Sequence, residues 1–422
     1  MKDLARRTDA EVYFNGVNIS ASLRKYLFSI TFTDEEEDEA DDLQIKIEDR
    51  DEVWLTKWLN VAVQAADKNT GNWAIGDTVT VNGRPQYSSY GTGTPGTEVT
   101  NFSGNITHLN LTAPYPIHVG TLGWFAIEQV TKVSGSSTKG LSIRSSFIQK
   151  NWTGDGKNNV LDCGKFELDS IDADGPPATI IIRGTSLPYR SQIRQTKKSK
   201  AWEAYTLSQI ANEIASTNGM TCMYESSFDP YYSRVEQITM SDIAFLKQLC
   251  HNAGISLKAT DNIIVLFDQA AYEAKPPVLT IKKGSGTYTR YRLRTGAADK
   301  EYASCRVSYT DPVSKETIQA TAYAEGYSSK DKNNQRLEVT AKVNSIGEAQ
   351  ALAKKRLRLK NKNEKTAIFT LPGNPTLLAG ATILLSGWGL WDGKYIISQA
   401  QHSIGEAGYT TQLRLRPVLE GY

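Results

Sequence analysis

Strict period-two alternation dominates both ends of this chain, and helical periodicity is concentrated in its middle. Residues 26–34 ("YLFSITFTD") and 43–51 ("LQIKIEDRD") alternate apolar and polar side chains, with Leu43, Ile45 and Ile47 on one face. Such a pattern buries one face of a strand and leaves the other polar. The opening run "AEVYFNGVNIS" alternates around Asn15-Gly16, a hairpin-type turn. Later runs repeat the pattern: "GKFELDSIDADGPPATIIIRGTS", "TYTRYRLR", "YASCRVSYTD", "ETIQATAYAE" and "RLEVTAKV". The last stretch, from "TAIFTLPGNPTLLAGATILLSGWGLWDGKY" onward, reads as a meander with turns at Gly373-Asn374, Gly387, Asp392-Gly393 and Gly405.

The helical interruption lies in the middle. "YTLSQIANEIASTNG" places Leu207, Ile210, Ala211 and Ile214 on one face, with Thr206 and Gln209 as a capping box and Gly219 as a stop. "SDIAFLKQLCHNAG" repeats this grammar, with Ile243, Leu246, Leu249 and Cys250 inward and Gly254 ending it; the strand "NIIVLF" follows. His251 beside Cys250 makes no thiol–imidazole pair, because helix neighbours point about 100° apart. One more helix is predicted over 346–360, with Ser345 and Glu348 as a capping box and Ala349, Leu352, Ala353, Arg356 and Leu357 along its seam. The fold class is therefore mainly β with an α+β middle.

At 422 residues the chain accommodates two to four domains. A net charge of +2 supplies no global field for nucleic acid or an anionic membrane. Cys163, Cys222, Cys250 and Cys305 are scattered without a CxxC pair, the pattern of reduced structural thiols rather than of a disulfide framework or zinc ribbon. No signal peptide is visible at the start, and the apolar runs are too short to span a bilayer. These features suit a chain folded in a cytosol, and work outside its cell would require release by lysis or as part of a particle.

Three stretches invite chemical readings. The acidic run at 34–42 ("DEEEDEADD") lacks the alternating ligands and glycine of an EF-hand, and reads as a solvated hairpin tip. The basic cluster at 354–365 ("KKRLRLKNKNEK") complements a helix C-terminus; nucleic-acid binding is its sharper alternative, without interleaved aromatics to support it. His108 and His118 lie within one block but lack the third ligand of a metal site. Nucleotide loops, HExxH and GxSxG are absent from the sequence. A carboxylate pair is not excluded by composition, yet no pair stands out. No catalytic residue, metal or cofactor is assigned.

Between residues 82 and 134 the composition shifts to Tyr, Ser, Gly, Thr and Pro, followed by short β runs and the linker-like 134–140. Domain limits follow: a discontinuous first tube β-barrel over 1–81 and 141–195, an inserted small β-barrel over 82–134, a helical α/β domain over 196–275, and a second tube β-barrel over 276–422 that includes the 346–360 helix.

The order of these pieces resembles the tail hub proteins of contractile phages and of related bacteriocins and injection systems, the late-control D group. The most specific segments are "SDIAFLKQLCHNAGI" with "NIIVLFD", and "AGATILLSGWGLWDGKYIISQAQHS"; "EADDLQIKIEDRD" and "GPPATIIIRGTS" fit the first barrel. The resemblance covers nearly the whole chain except 82–134. It implies a non-enzymatic baseplate hub: a homotrimer whose two barrels per subunit alternate in a pseudo-sixfold ring, joining tail tube to central spike. Tail tube protein, spike, baseplate wedge proteins and tape measure are the implied partners, with no membrane and no sequence-specific nucleic acid. Arg290, Arg292 and Arg294 would then face a lumen or an interface; plain solvent-facing alternation gives the same pattern. The acidic tip and the basic helix are candidates to meet between subunits.

The 82–134 block resembles the small Src-homology-3-like barrels appended to clostridial-type phage and cell-wall amidase proteins. That likeness makes Tyr87, Tyr90, Tyr115 and Trp124 candidates for a cell-wall glycan or peptide groove; core or turn packing is the plainer explanation of them. The rival function is a cell-wall-associated binding protein, or a non-catalytic part of a peptidoglycan hydrolase.

Overall fold

The computed structural model describes residues 7–14, 17–50, 78–110, 113–132, 142–152, 157–187, 192–260, 262–295, 302–311, 315–330, 334–362, 365–406 and 408–419. The Asn15-Gly16 turn and the 134–140 linker lie outside them. By internal contacts the chain divides into one large unit and a smaller one, Glu48–Leu141 with Ala173–Ile180.

The alternating runs of both chain ends join in one 13-stranded sheet. Its path runs Arg290–Thr295, Lys365–Pro372, Gly408–Pro417, Gly393–Gly405, Leu27–Glu35, Asp42–Glu48, Thr179–Thr185, Asn158–Asp174, Ser142–Lys150, Arg7–Phe14 and Val17–Asn18. Thr382–Ser386 branches from Gly393–Gly405 and carries Leu279–Lys282. The junction between early and late strands is the antiparallel pairing of Leu27–Glu35 with Gly393–Gly405, in which Phe32 faces His402.

Because side chains alternate, register carries one buried face from strand to strand. Phe14 pairs with Ile143, Ala400 with Leu413, Leu413 with Phe369 and Phe369 with Tyr291. All but Tyr291 are buried. His402 sits on this face, wholly buried. Its Nε2–H donates to the Leu377 carbonyl at 2.9 Å, so Nδ1 is the acceptor for the Tyr409 hydroxyl at 2.8 Å. Gly373 makes room for that tyrosine: a Cβ there would fall 2.0 Å from the ring.

The predicted helices form where expected. Leu207–Thr217 begins at the Thr206–Gln209 capping box, and Asp242–Ala253 begins at Ser241 and ends at left-handed Gly254. They pack Ile210, Ile214, Leu246, Leu249 and Cys250 into a core with Trp202, Leu257 and Ile264 from flanking strands. Ile346–Asn361 starts at Ser345. Its seam does not cover the large sheet. Ser304–Thr310, Thr317–Tyr323 and Arg336–Thr340 form a separate three-stranded sheet, and Cys305, Val307 and Ala322 pack on Ala349, Leu352, Ala353 and Leu357. Alternation shows that these residues are strands but does not assign them to a sheet, so the sequence places them in the second barrel while pairing sets them apart.

The smaller unit contains a five-stranded sheet of Thr78–Gly83, Val99–Leu109, Ile117–Val119, Gly123–Phe125 and Val130–Lys132. Thr78–Gly83 pairs with Val99–Leu109 and Val130–Lys132, so this sheet starts ahead of the boundary set at residue 82. Val79, Val81, Ile106, Ile117, Val119, Phe125 and Val130 form its core.

Burial holds the His402 imidazole neutral, lowering its pKa to about 4. The unfolded chain therefore binds this proton first, and stability falls with pH from about 6.5 to about 4 and is flat below. The loss attributable to His402 is about 3 kcal/mol. Urea unfolding of the wild type and of His402→Gln at pH 7 and pH 4.5 checks this: the variant should lose distinctly less stability on acidification, and parallel losses would contradict it.

Candidate functional site

The second face of the large sheet is polar. One register row crosses six strands as Asp42, Thr33, Gln401, Gln412, Thr370 and Arg290. Beside it Thr31 and Ser403 share a hydroxyl hydrogen bond of 3.1 Å. A sheet sealed on one side and hydroxyl- and amide-rich on the other has a surface suited to water or to a polar passenger.

Arg290, Arg292 and Arg294 occupy the end strand of this sheet and are exposed, with no carboxylate within ion-pair distance among the described residues. Between them Tyr291 and Leu293 turn toward the other face. Tyr291 is stacked edge-on against Trp388 at 4.8 Å, and Leu293 packs on the core. Among the described residues the strand pairs with Lys365–Pro372 alone, which leaves its outer edge available for pairing. At the opposite end Arg7–Phe14 is paired along one side; on the other, Val17–Asn18 pairs with Tyr13 and Phe14, and Val12 donates to Ser20 Oγ and accepts from the Ile19 N–H, each at 2.9 Å.

The acidic run is not a solvated tip. Asp34, Glu36 and Asp41 are buried, and cations from three distant segments meet them. Arg416 grips Glu36 through Nη2 at 2.6 Å and Nε at 3.2 Å, and reaches Glu273 through Nη1 at 2.6 Å. Arg358 takes the other Glu273 oxygen, and Lys362 pairs with Glu37. Lys258 lies between Asp34 at 2.7 Å and Asp41 at 3.1 Å. The sequence expectation fails because a charge run reveals its sign but not its partners, which lie more than two hundred residues away. Acidic tip and basic helix thus meet within one chain.

Burial pushes the Glu36 carboxyl up against the opposing pull of Arg416. Asp41 is raised to about 6, first by burial and also by Asp34, with Lys258 opposing. For Glu37 burial is again the largest influence, but Lys362 and Ser256 outweigh it and the pKa is lowered.

The same contacts dispose of the basic cluster. Lys355 pairs with Asp268, Arg356 donates to the His251 carbonyl at 2.6 Å, and Arg358 and Lys362 belong to the buried network. Four of its cations hold the chain together rather than forming a nucleic-acid surface.

In the small sheet Tyr87 and Tyr90 stand 82% and 63% exposed on a loop tied down at Ser88, where Thr92 N–H donates to Oγ at 3.0 Å. Tyr115 and Trp124 are half-buried. Tyr115 lies over Gly91, and Trp124 is bridged through its backbone to Gln86. His108 pairs across strands with His118, and His118 with Trp124, giving a ring row with centroids 5.3 and 5.1 Å apart. No group of three metal-ligating side chains occurs among the described residues.

The large sheet with its α/β unit is a fold shared with solved tail proteins. The structure aligns with a tail protein from Neisseria meningitidis MC58 at a TM-score of 0.59 and 10% identity, over 97% of this chain and 96% of that one. The 43 kDa tail protein of prophage MuSo2 from Shewanella oneidensis aligns at 0.56 and 11% identity, over 97% and 98%. The family model for the phage tail baseplate hub (GPD) matches residues 188–408, and the chain belongs to that family. A probable baseplate hub protein of Escherichia phage 186 is 24% identical over 147 residues, 34% of this chain and 38% of that relative's length. No helix among the described residues is long and apolar enough to cross a membrane.

Removing the arginine at the centre of the buried network should be far more damaging than removing an exposed one. Arg416→Ala leaves Glu36 and part of Glu273 buried without a partner and should cost about 3–5 kcal/mol. Arg234→Ala, which breaks the exposed pairs with Glu203 and Glu236, should cost little. Urea denaturation at pH 7 compares them; equal losses would contradict the assignment.

Proposed function

We propose that this protein is the structural, non-enzymatic hub of a contractile-tail baseplate, of a phage or a phage-tail-like bacteriocin. Three copies form a ring in which the two sheet halves of each copy give pseudo-sixfold symmetry. The ring joins the tail tube to the central spike and contacts wedge proteins, and the tape measure or payload passes through its lumen. It is made in the bacterial cytoplasm and leaves in the particle on lysis.

The observation that carries this reading is the two-sided sheet whose end strands, among the described residues, are unpaired on the outer side at Arg290–Thr295 and only partly covered at Arg7–Phe14. An open edge is satisfied by strand addition, and a head-to-tail contact between two different edges closes into a ring. Pairing Arg290–Thr295 of one copy with Arg7–Phe14 of the next would continue the sealed face and the polar face around the ring. It would also bring Arg290, Arg292 and Arg294 near Asp9 and Glu11, which share the polar face of the Arg7–Phe14 strand. Lumen and interface roles for the three arginines are then compatible.

A second reading concerns the small module, taken as a grafted Src-homology-3-like barrel. Two tyrosines exposed on a constrained loop favour a ligand over a packing role. Tyr87 and Tyr90, with Tyr115 and Trp124 behind them, would hold cell-wall glycan and give the hub a grip on its target.

Light scattering on the purified protein should give the mass of three 46.6 kDa chains, and Arg290→Glu/Arg292→Glu/Arg294→Glu should shift it to a folded monomer with unchanged circular dichroism. A wild-type monomer at all concentrations would count against the ring. Separately, Tyr87→Ala/Tyr90→Ala should abolish co-sedimentation with purified peptidoglycan; undiminished sedimentation would remove the glycan reading.

A further inference from the structure

A cavity of about 450 Å³ opens between the acidic hairpin and the start of the Asp242–Ala253 helix, away from both sheet edges. Its apolar lining comes from Ala40, Leu187, Ile243, Leu257 and Ala259. Three of these, Leu187, Leu257 and Ala259, are buried, so the floor is a rigid part of the α/β core. Its size fits two or three side chains rather than a folded domain.

The rim is charged, and its charges are unevenly matched. Lys247 is occupied by Asp38, with Nζ at 3.1 Å from the Asp38 carbonyl and 3.5 Å from its carboxylate. Arg194 is turned toward the Leu187 carbonyl, to which it donates at 2.8 Å. Glu39 and Asp42 are both exposed, and neither has an ion-pair partner among the described residues. Thr185 and Arg194 offset the Asp42 charge only in part against burial, Asp169 and Glu39, so an excess of negative charge over an apolar floor suits the side chain that combines an apolar stem with a cationic head.

We infer that this groove is a docking site for an extended basic–apolar segment of a partner protein: an aliphatic side chain seated on Leu187, Ile243 and Leu257, with a flanking lysine or arginine on Glu39 and Asp42. The site is independent of ring closure, since none of its residues lies on the Arg290–Thr295 or Arg7–Phe14 edge. Burial and the neighbouring Asp169 and Glu39 already hold the Asp42 carboxyl above its ordinary range, and a bound cation relieves that repulsion.

The test is fluorescence anisotropy with the full-length protein and labelled acetyl-Arg-Leu-Arg-Leu-Arg-amide, with acetyl-Glu-Leu-Glu-Leu-Glu-amide as control. The basic peptide should bind saturably and the acidic one at least tenfold more weakly. Glu39→Gln/Asp42→Asn should weaken the basic peptide at least tenfold. Ala244→Trp, an exposed position on the groove wall, should do the same by filling the space without changing charge. Circular dichroism and the oligomer mass should be unchanged in both variants. No saturable binding, equal binding of the acidic peptide, or undiminished binding by the two variants would overturn the proposal.

Discussion

The structure depends on a cluster of buried ion pairs. Glu36, Glu37 and Asp34 from the early hairpin, Glu273, Lys258, Arg358 and Lys362 from the middle and later segments, and Arg416 from the last strand are brought together. Isolated buried charges are strongly unfavourable, so each carboxylate is tolerable only when its cation is in place. The cluster therefore acts as an all-or-none condition on tertiary structure. The first half of the sheet, the α/β unit and the final meander must dock together. Apolar packing alone would permit sliding between these parts; bidentate geometry at Arg416 does not.

Fixing those parts gives the large sheet its continuity. Leu27–Glu35 leads directly into the hairpin that carries Glu36 and Glu37, and its partner Gly393–Gly405 is paired to the strand that carries Arg416. The seam between early and late strands thus lies beside the buried charges. Once it is fixed, register carries one buried face from Leu43 and Phe32 through Ala400 and Leu413 to Phe369, while the opposite face of the same strands carries Thr33, Gln401, Gln412 and Thr370. The proposed ring would use this combination, cohesive within its wall and hydrophilic along its channel.

Much of the fold was legible in local pattern. Capping boxes at Thr206 and Ser345, the glycine stop at Gly254 and strict alternation at Leu43, Ile45 and Ile47 each report a choice made within a few residues. The order of these elements was enough to suggest the hub family. Long-range matters were not legible. The run at 34–42 looked solvated because the cations that meet it, Lys258, Lys362 and Arg416, lie more than two hundred residues away in sequence. Residues 304–340 alternate like barrel strands, yet their apolar face is covered by a helix that follows them in the chain. Arg290, Arg292 and Arg294 were visible as an alternating row; that they lie on an open edge is a property of sheet order. Tyr87 and Tyr90 were visible as aromatics, whereas their exposure needed the loop geometry.

The central claim is that copies of this chain close their sheets into a ring with a polar channel. Electron microscopy of the purified full-length protein viewed end-on tests it most directly. The account predicts class averages with three copies, six similar wall segments and a central opening. Compact particles without a channel, or open chains that fail to close, would contradict it.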